Sequence, residues 1–315
     1  MSTLHESLAA YVATRRALGT KLCEPASSLC RFVDFLEREA AEYVTSELAL
    51  RWATEPAGVQ PSTWARRLCM VRPFAAWLSV TDPRTQVPPR GLLRARHRRK
   101  TPHIFTDHEI EQLMAEAARL SSSTGLRALT LGTLIGLLAG TGLRPGEALA
   151  LDVQDVDLQN GILSVRRTKF DKSRFVPVHE SVCVALAHYA QRREAICPRR
   201  QTKAFLVSER GTRLGHAAVR RTFAMLSRAI GLRTPMQGKR IGRGPRLQDL
   251  RHTFATRRLV EWYRTGLDVG CMMPALATYL GHVQVHNTYW YIQAIPELLQ
   301  LATERQAARP EGGVQ

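Results

Sequence analysis

Tyr291 lies nine residues beyond His282, in the stretch Leu280-Gly281-His282-Val283-Gln284-Val285-His286-Asn287-Thr288-Tyr289-Trp290-Tyr291. Two arginine motifs precede it: Gly140-Thr141-Gly142-Leu143-Arg144-Pro145-Gly146-Glu147 and Leu250-Arg251-His252-Thr253-Phe254-Ala255. A tyrosine hydroxyl can attack a phosphodiester, and arginines can hold the phosphate's oxygens while negative charge builds on them. Guanidinium suits that task because it offers a fixed fork of donors and keeps its charge. Arg144 follows an apolar run and precedes Pro145-Gly146, a place where packing behind it can aim the side chain.

The composition fits a nucleic-acid partner. The chain has 315 residues, 44% of them hydrophobic, enough for two cored domains. Its 45 Lys and Arg against 27 Asp and Glu leave a net charge of +18, which suits a polyanion. Six cysteines (Cys23, Cys30, Cys69, Cys183, Cys197 and Cys271) form no CxxC pair. That scatter implies reduced, mostly buried thiols, and neither a disulfide framework nor a structural zinc site. The N-terminus lacks a secretory profile, and the most apolar run, Leu126 to Leu143, is too polar to span a membrane. A cytoplasmic location is expected.

Elements that could position the chemistry follow from periodicity. Residues 1–82 read as helical, with stripes at Leu4, Leu8, Tyr11 and Val12, at Leu29, Phe32, Val33, Phe35 and Leu36, and at Trp64, Leu68, Val71, Phe74 and Leu78. Thr45 or Ser46 caps a short third helix, Pro61 opens the fourth, and Pro73 is expected to kink it. Arg66, Arg67 and Arg72 on that helix either meet phosphates or form a solvated face. Residues 83–104 read as a basic linker; from Arg84 to Lys100 there are seven basic residues and no acid. Arg96, Arg98, Arg99 and Lys100 in it are expected to lie along a duplex. Residues 105–300 then form a second domain, opened by the capping box Thr106-x-x-Glu109, and 301–315 a tail. Its one strand signal pairs Ile162–Arg166 with Arg174–Val178 around a polar turn. The remainder is helical, with one helix opening at Arg251.

The three blocks, in this order and spacing, resemble the tyrosine recombinase (phage integrase) family over roughly residues 105 to 300. The resemblance implies a mainly α fold with a small β-hairpin or sheet: an N-terminal SAM-like helical core-binding domain, then an integrase-type catalytic domain. It makes Arg144 and Arg251 the catalytic arginines and His282 a donor to the scissile phosphate. Tyr291 becomes the nucleophile, because only it, among Tyr279, Tyr289 and Tyr291, keeps the family's nine-residue offset from His282. Aligning Lys-x-x-Lys-x-Arg-x-Val-Pro makes Lys169 the general acid for the leaving 5′ oxygen, and Lys172 and Arg174 phosphate contacts. Glu147 is either an orienting carboxylate or a helix N-terminal charge.

Gln248 departs from the family's His-x-x-Arg pattern. Glutamine can donate a hydrogen bond to a phosphate oxygen but cannot titrate. His252, adjacent to Arg251, reads as structural. The implied function is site-specific DNA recombination through a 3′-phosphotyrosyl bond, without metal or other cofactor, on double-stranded DNA, by a homotetramer or a mixed recombinase tetramer. Two alternatives share features of the sequence: a type IB topoisomerase-like relaxing enzyme, and a DNA-binding module with impaired catalysis.

Overall fold

The computed structural model describes residues 3–20, 22–93, 101–166, 173–199, 201–235, 243–293 and 296–307. The chain divides into two units, Met1–Lys100 and Thr101–Gln315.

The first unit is built from α1 (Leu4–Ala17), α2 (Cys23–Arg38), α3 (Ser46–Thr54) and α4 (Pro61–Leu78). Local chemistry sets their ends. Thr3 and Glu6 close a capping box on α1, and Thr45 Oγ1 accepts from Leu48 N at the start of α3. α2 begins at Cys23, ahead of the stripe that starts at Leu29, because Pro25 falls in the first turn, where its missing N–H costs nothing. α4 runs as one helix through Pro73, whose lost bond is offset by burial of Val71, Phe74 and Leu78 on either side. Tyr11 meets Phe74 at 5.5 Å between ring centroids and Phe32 meets Trp52 at 5.0 Å, inside a core with Leu29, Leu36 and Leu68.

Residues 83–93 of the expected linker belong to this unit. Gln86 N donates to Val44 O at 2.7 Å, Arg72 donates to the carbonyls of Pro88 and Pro89, and Leu93 packs on the core. Arg67 stacks over Trp52 at 3.8 Å and donates to its carbonyl, while Arg66 pairs with Glu24. The donors of Arg67 and Arg72 thus tie the unit together. Of the five cysteines whose side chains are described, none is buried and all are free; Cys30, Cys69 and Cys271 are exposed, contrary to the expectation of buried thiols.

The second unit is organised on α6 (Leu126–Thr141), which packs against α5 (Asp107–Ala118), α8 (Glu180–Ile196) and α10 (Leu247–Arg264). Leu131, Leu134, Ile135 and Leu138 of α6 are buried, as befits a helix apolar nearly all round. The short α7 (Pro145–Ala150) follows, then a three-stranded antiparallel sheet of β1 (Val156–Asp157), β2 (Ile162–Val165) and β3 (Arg174–Pro177). Pairing of Leu163 with Val176 turns both into the core and leaves Phe175 exposed, as alternation requires. β1 is too short to carry a periodic signal and was not expected.

After α9 (His216–Ala229) come α10, α11 (Val269–Leu280), α12 (His286–Gln293) and α13 (Pro296–Ala307). They share a second core of Ala255, Leu259, Met273, Leu276, Leu280, Tyr291 and Leu298. α10 starts at Leu247, not at Arg251. Asp249 accepts from Arg246 N at 2.8 Å, so an acid at the third helical position caps a start that Arg246 does not announce by type. α13 likewise extends into the expected tail, because Leu298 finds a buried seat.

Leu134→Ala should lower stability by about 2–5 kcal/mol, since it empties a fully buried seat at the centre of α6. Urea unfolding reads this as a lower midpoint at unchanged slope. A loss below about 1 kcal/mol would mean that the surroundings of α6 collapse to fill the space.

Candidate active site

The site forms around the C-terminus of α11. A helix leaves its last carbonyls without partners in the chain and concentrates partial negative charge there. Gly281 takes the left-handed conformation (φ +68), so Gly281 N reaches Thr278 O and His282 N reaches Ala277 O, both at 2.9 Å. The next three carbonyls each receive an arginine. Arg174 Nε donates to Tyr279 O at 2.8 Å, Arg251 Nη2 to Leu280 O at 2.6 Å, and Arg144 Nη2 to Gly281 O at 3.0 Å. Three elements distant in sequence (β3, α10 and the start of α7) are thereby gathered at one helix end.

Glu147 is the anion within this group, its side chain 7% exposed. Its Oε1 accepts from Arg144 Nη1 at 2.7 Å and Arg174 Nη1 at 3.1 Å. Its Oε2 accepts from Arg174 Nη2 at 2.8 Å and from the Arg144 backbone at 3.0 Å. Burial alone would raise the carboxyl, but the Arg174 fork and the Arg144 donors outweigh it and hold Glu147 down at about 2. Glu147 therefore caps the start of α7 and binds both guanidinium groups.

Arg251 is 1% exposed and sits in the second turn of α10. Its Nη1 donates to Gly142 O at 3.0 Å, across from the Leu280 carbonyl. Burial lowers it to about 10, opposed by the neighbouring Tyr291, so it remains a cation at neutral pH. Gly142 ends α6 with φ +63, and a Cβ there would lie 2.5 Å from the Phe254 ring. The turn that presents its carbonyl to Arg251 thus requires glycine.

His282 follows the cap directly, and its Nδ1 lies 2.7 Å from Thr288 Oγ1. Burial, then the cations of Arg251, Arg144 and Arg174, lower His282 to about 4. Tyr291 is 2% exposed, its ring nearly parallel to His282 at 6.1 Å and tilted on His252 at 5.4 Å, and it hydrogen-bonds with Arg251. The other two tyrosines lie elsewhere. Tyr289 is 45% exposed; Tyr279 stacks on Phe254 at 5.6 Å, donates to Pro177 O, and is pushed by burial up to about 12.

Gln248 is half-buried on the first turn of α10, three residues before Arg251 and four before His252. That spacing places all three on neighbouring positions of one helix face. His252 is wedged between Trp290 and Tyr291, and burial lowers it to about 4. The four-residue step from Gln248 is the sequence signal for this placement.

Arg174, expected at DNA, is instead engaged with Glu147 and Tyr279 and is 12% exposed. Lys169, Lys172, Arg96, Arg98, Arg99 and Lys100 lie outside the described residues. Among the described residues the one group with metal-ligand spacing is His5, Asp34 and Glu37, at the surface of the first unit and no part of this constellation.

The profile of the Phage integrase family matches residues 103–297. A Sinorhizobium fredii chain, y4rB, named as a candidate integrase/recombinase, is 43% identical over 315 residues, covering 99% of each chain. The tyrosine recombinase XerD of Caulobacter vibrioides is 30% identical over 243 residues, 77% of this chain and 74% of its own. Among solved structures, XerA recombinase aligns with 97% of this chain and 99% of its own, at a TM-score of 0.51 and 23% identity. The Tn1549 transposon integrase in complex with transposon right-end DNA aligns with 98% and 100%, at a TM-score of 0.65 and 17% identity. At those identities the structural likeness is one of fold.

The two lowered imidazoles set a pH dependence. Each binds its proton more readily in the unfolded chain, near 6.5, than in the fold, near 4. Their contribution to stability is therefore complete above about pH 6.5 and drains as pH falls toward about 4. The slope is at most ~1.4 kcal/mol per pH unit for each group, and smaller because both rings keep some solvent. Urea unfolding between pH 7.5 and 5 should show this loss, and His252→Gln should flatten it. Stability that stays level over that range would mean that both rings take up protons in the fold as readily as in the unfolded chain.

Proposed function

Because this chain belongs to the phage integrase family of tyrosine recombinases, we propose that it cleaves and rejoins DNA at specific sites with Tyr291 as nucleophile. The observation that carries this assignment is the convergence of Arg144, Arg251, His282 and Tyr291 at the end of α11. Tyr291 Oη gives up its proton to solvent and, as a phenolate facing the Arg251 cation, forms a bond to the scissile phosphorus while the bond from phosphorus to the 5′ oxygen breaks. The departing oxygen takes a proton from Lys169, and the enzyme keeps a 3′-phosphotyrosyl link. A free 5′ hydroxyl from a partner strand reverses the step, so the phosphodiester's energy is conserved. Two duplexes with two strands each call for four subunits on DNA, and a DNA substrate puts the action in the cytoplasm.

The side chains support each role by what they can exchange. Arg251 and the Nη2 of Arg144 donate to neutral carbonyls, which a doubly charged transition state can displace as the stronger acceptor. His282 is neutral at physiological pH; with Thr288 at Nδ1, the tautomer protonated on Nε2 supplies a donor without adding a buried charge. Tyr291 is shielded, so attack requires α12 to bring its ring outward to the phosphate. Gln248 favours a second reading, a DNA-binding module with impaired chemistry, since an amide cannot shuttle a proton. Positioning and charge stabilisation carry most of phosphoryl transfer, which supports retained activity.

Tyr291→Phe should abolish covalent adduct formation on nicked suicide duplexes tiled from the DNA flanking the coding sequence, and leave gel-shift affinity within about threefold. If the adduct persists in Tyr291→Phe and disappears in Tyr289→Phe, the nucleophile is misassigned.

Gln248→Ala should slow cleavage on the same duplexes about tenfold by removing a donor to the charged transition state. Gln248→His should retain cleavage and add a pH dependence in the imidazole range. Equal rates for alanine and glutamine would put this side chain outside the chemistry.

A further inference from the structure

We propose that Arg174 is a positioning residue of the reaction: it neutralises Glu147, so that Arg144 keeps a full positive charge for the scissile phosphate. This rests on the assignment of Arg144 to the phosphate given above. An arginine beside a Lys-rich hairpin is expected at DNA. The structure gives Arg174 a different task.

Each of its three nitrogens donates inside the protein. Nη1 and Nη2 make a bidentate pair with Glu147 at 3.1 and 2.8 Å, and Nε donates to Tyr279 O at 2.8 Å. The guanidinium also lies against the cap of α11: a Cβ on Gly281 would come within 2.7 Å of its Nη1. β3 is thereby fastened to α7 and to the turn that carries His282. β3 also forms one side of the hairpin whose connection contains Lys169, so the bond joins the general acid's strand to the arginine site.

Charge decides what the fastening achieves. Arg144 and Arg174 share one carboxylate, and together the three groups carry a net charge of +1. With Arg174 removed, Arg144 and Glu147 form a neutral pair. Arg144 would then be drawn toward the carboxylate and would bring no net charge to the phosphate. Among the described residues, the other titratable groups facing this cluster are Arg251 from α10, Tyr279 from α11 and His282 after it, and none of them is a hydrogen-bond partner of Glu147. Arg174 is thus the partner that frees Arg144.

The test uses the full chain. Arg174→Met keeps much of the apolar stem and removes the charge. In single-turnover cleavage of the nicked duplexes it should lose about 100-fold, with gel-shift affinity within about threefold. Adding Glu147→Gln to Arg174→Met should recover about tenfold, because it removes the anion left unpaired. A merely structural arginine would give no such rescue. Should Arg174→Met fail to fold, Arg174→Lys replaces it. Lysine keeps the charge without the fork, so cleavage should be intermediate and affinity unchanged.

A carboxyl-detected NMR titration makes the inference independent of activity. Glu147 should stay ionised down to about pH 2 in the native protein and titrate at a higher pH in the Arg174 variant. Absence of any adduct from the native protein would overturn the catalytic assignment and leave this titration as the test of the pair. Weakened DNA binding with a native cleavage rate on bound substrate would make Arg174 a phosphate contact and overturn the proposal. Glu147 titrating unchanged in the variant would overturn it as well.

Discussion

Everything in the second unit depends on how three guanidinium groups are held at the end of one helix. Buried cations are costly unless each donor has a partner and the surrounding field is favourable. The end of α11 supplies both, through the carbonyls of Tyr279, Leu280 and Gly281 and the negative pole of the helix. Glu147 supplies the single full negative charge. Three cations against one anion leave an excess of positive charge, which carbonyl dipoles soften without neutralising. Such a site is stable enough to fold and still carries a net positive charge.

Burial, joined at His282 by the same excess charge, explains the state of the imidazoles. Burial penalises a charged ring at His282, and the cations of Arg251, Arg144 and Arg174 add to that penalty, so His282 stays neutral. His252 is held neutral mainly by burial against Trp290 and Tyr291. Neutral rings can donate or accept one hydrogen bond without competing with the arginines for phosphate. The tyrosine gains from the same field: Arg251 hydrogen-bonds its hydroxyl and would stabilise a phenolate.

Sequence order and packing each contribute to reach. His282 and Tyr291 are separated by the turn into α12, and the ring-on-ring contact between them depends on Thr288 anchoring the histidine. Arg251 is buried because α10 begins at Leu247, a full turn earlier than the helix signal suggests. A helix opening at Arg251 would have set that side chain at its mouth, in solvent. The acid that moves the start, Asp249, is a weak signal by residue type and a firm one by its bond to Arg246 N.

The sequence alone determined the chemistry and the class of fold: the arginine motifs, the offset from His282 to Tyr291, the capping box at Thr106, the hairpin alternation and the apolar stripes of the first unit. Those features are local, because periodicity and capping act over a few residues and a motif records residue types that one reaction requires. Tertiary structure decided which polar groups meet. Arg174 and Arg72 have the sequence appearance of free basic residues, and only the fold shows their donors taken by Glu147 and Tyr279, and by Pro88 and Pro89. Whether a guanidinium is free for DNA depends on which carbonyls and carboxylates packing brings within 3 Å of it. Those partners lie 16 to 105 residues away, beyond the reach of any local pattern.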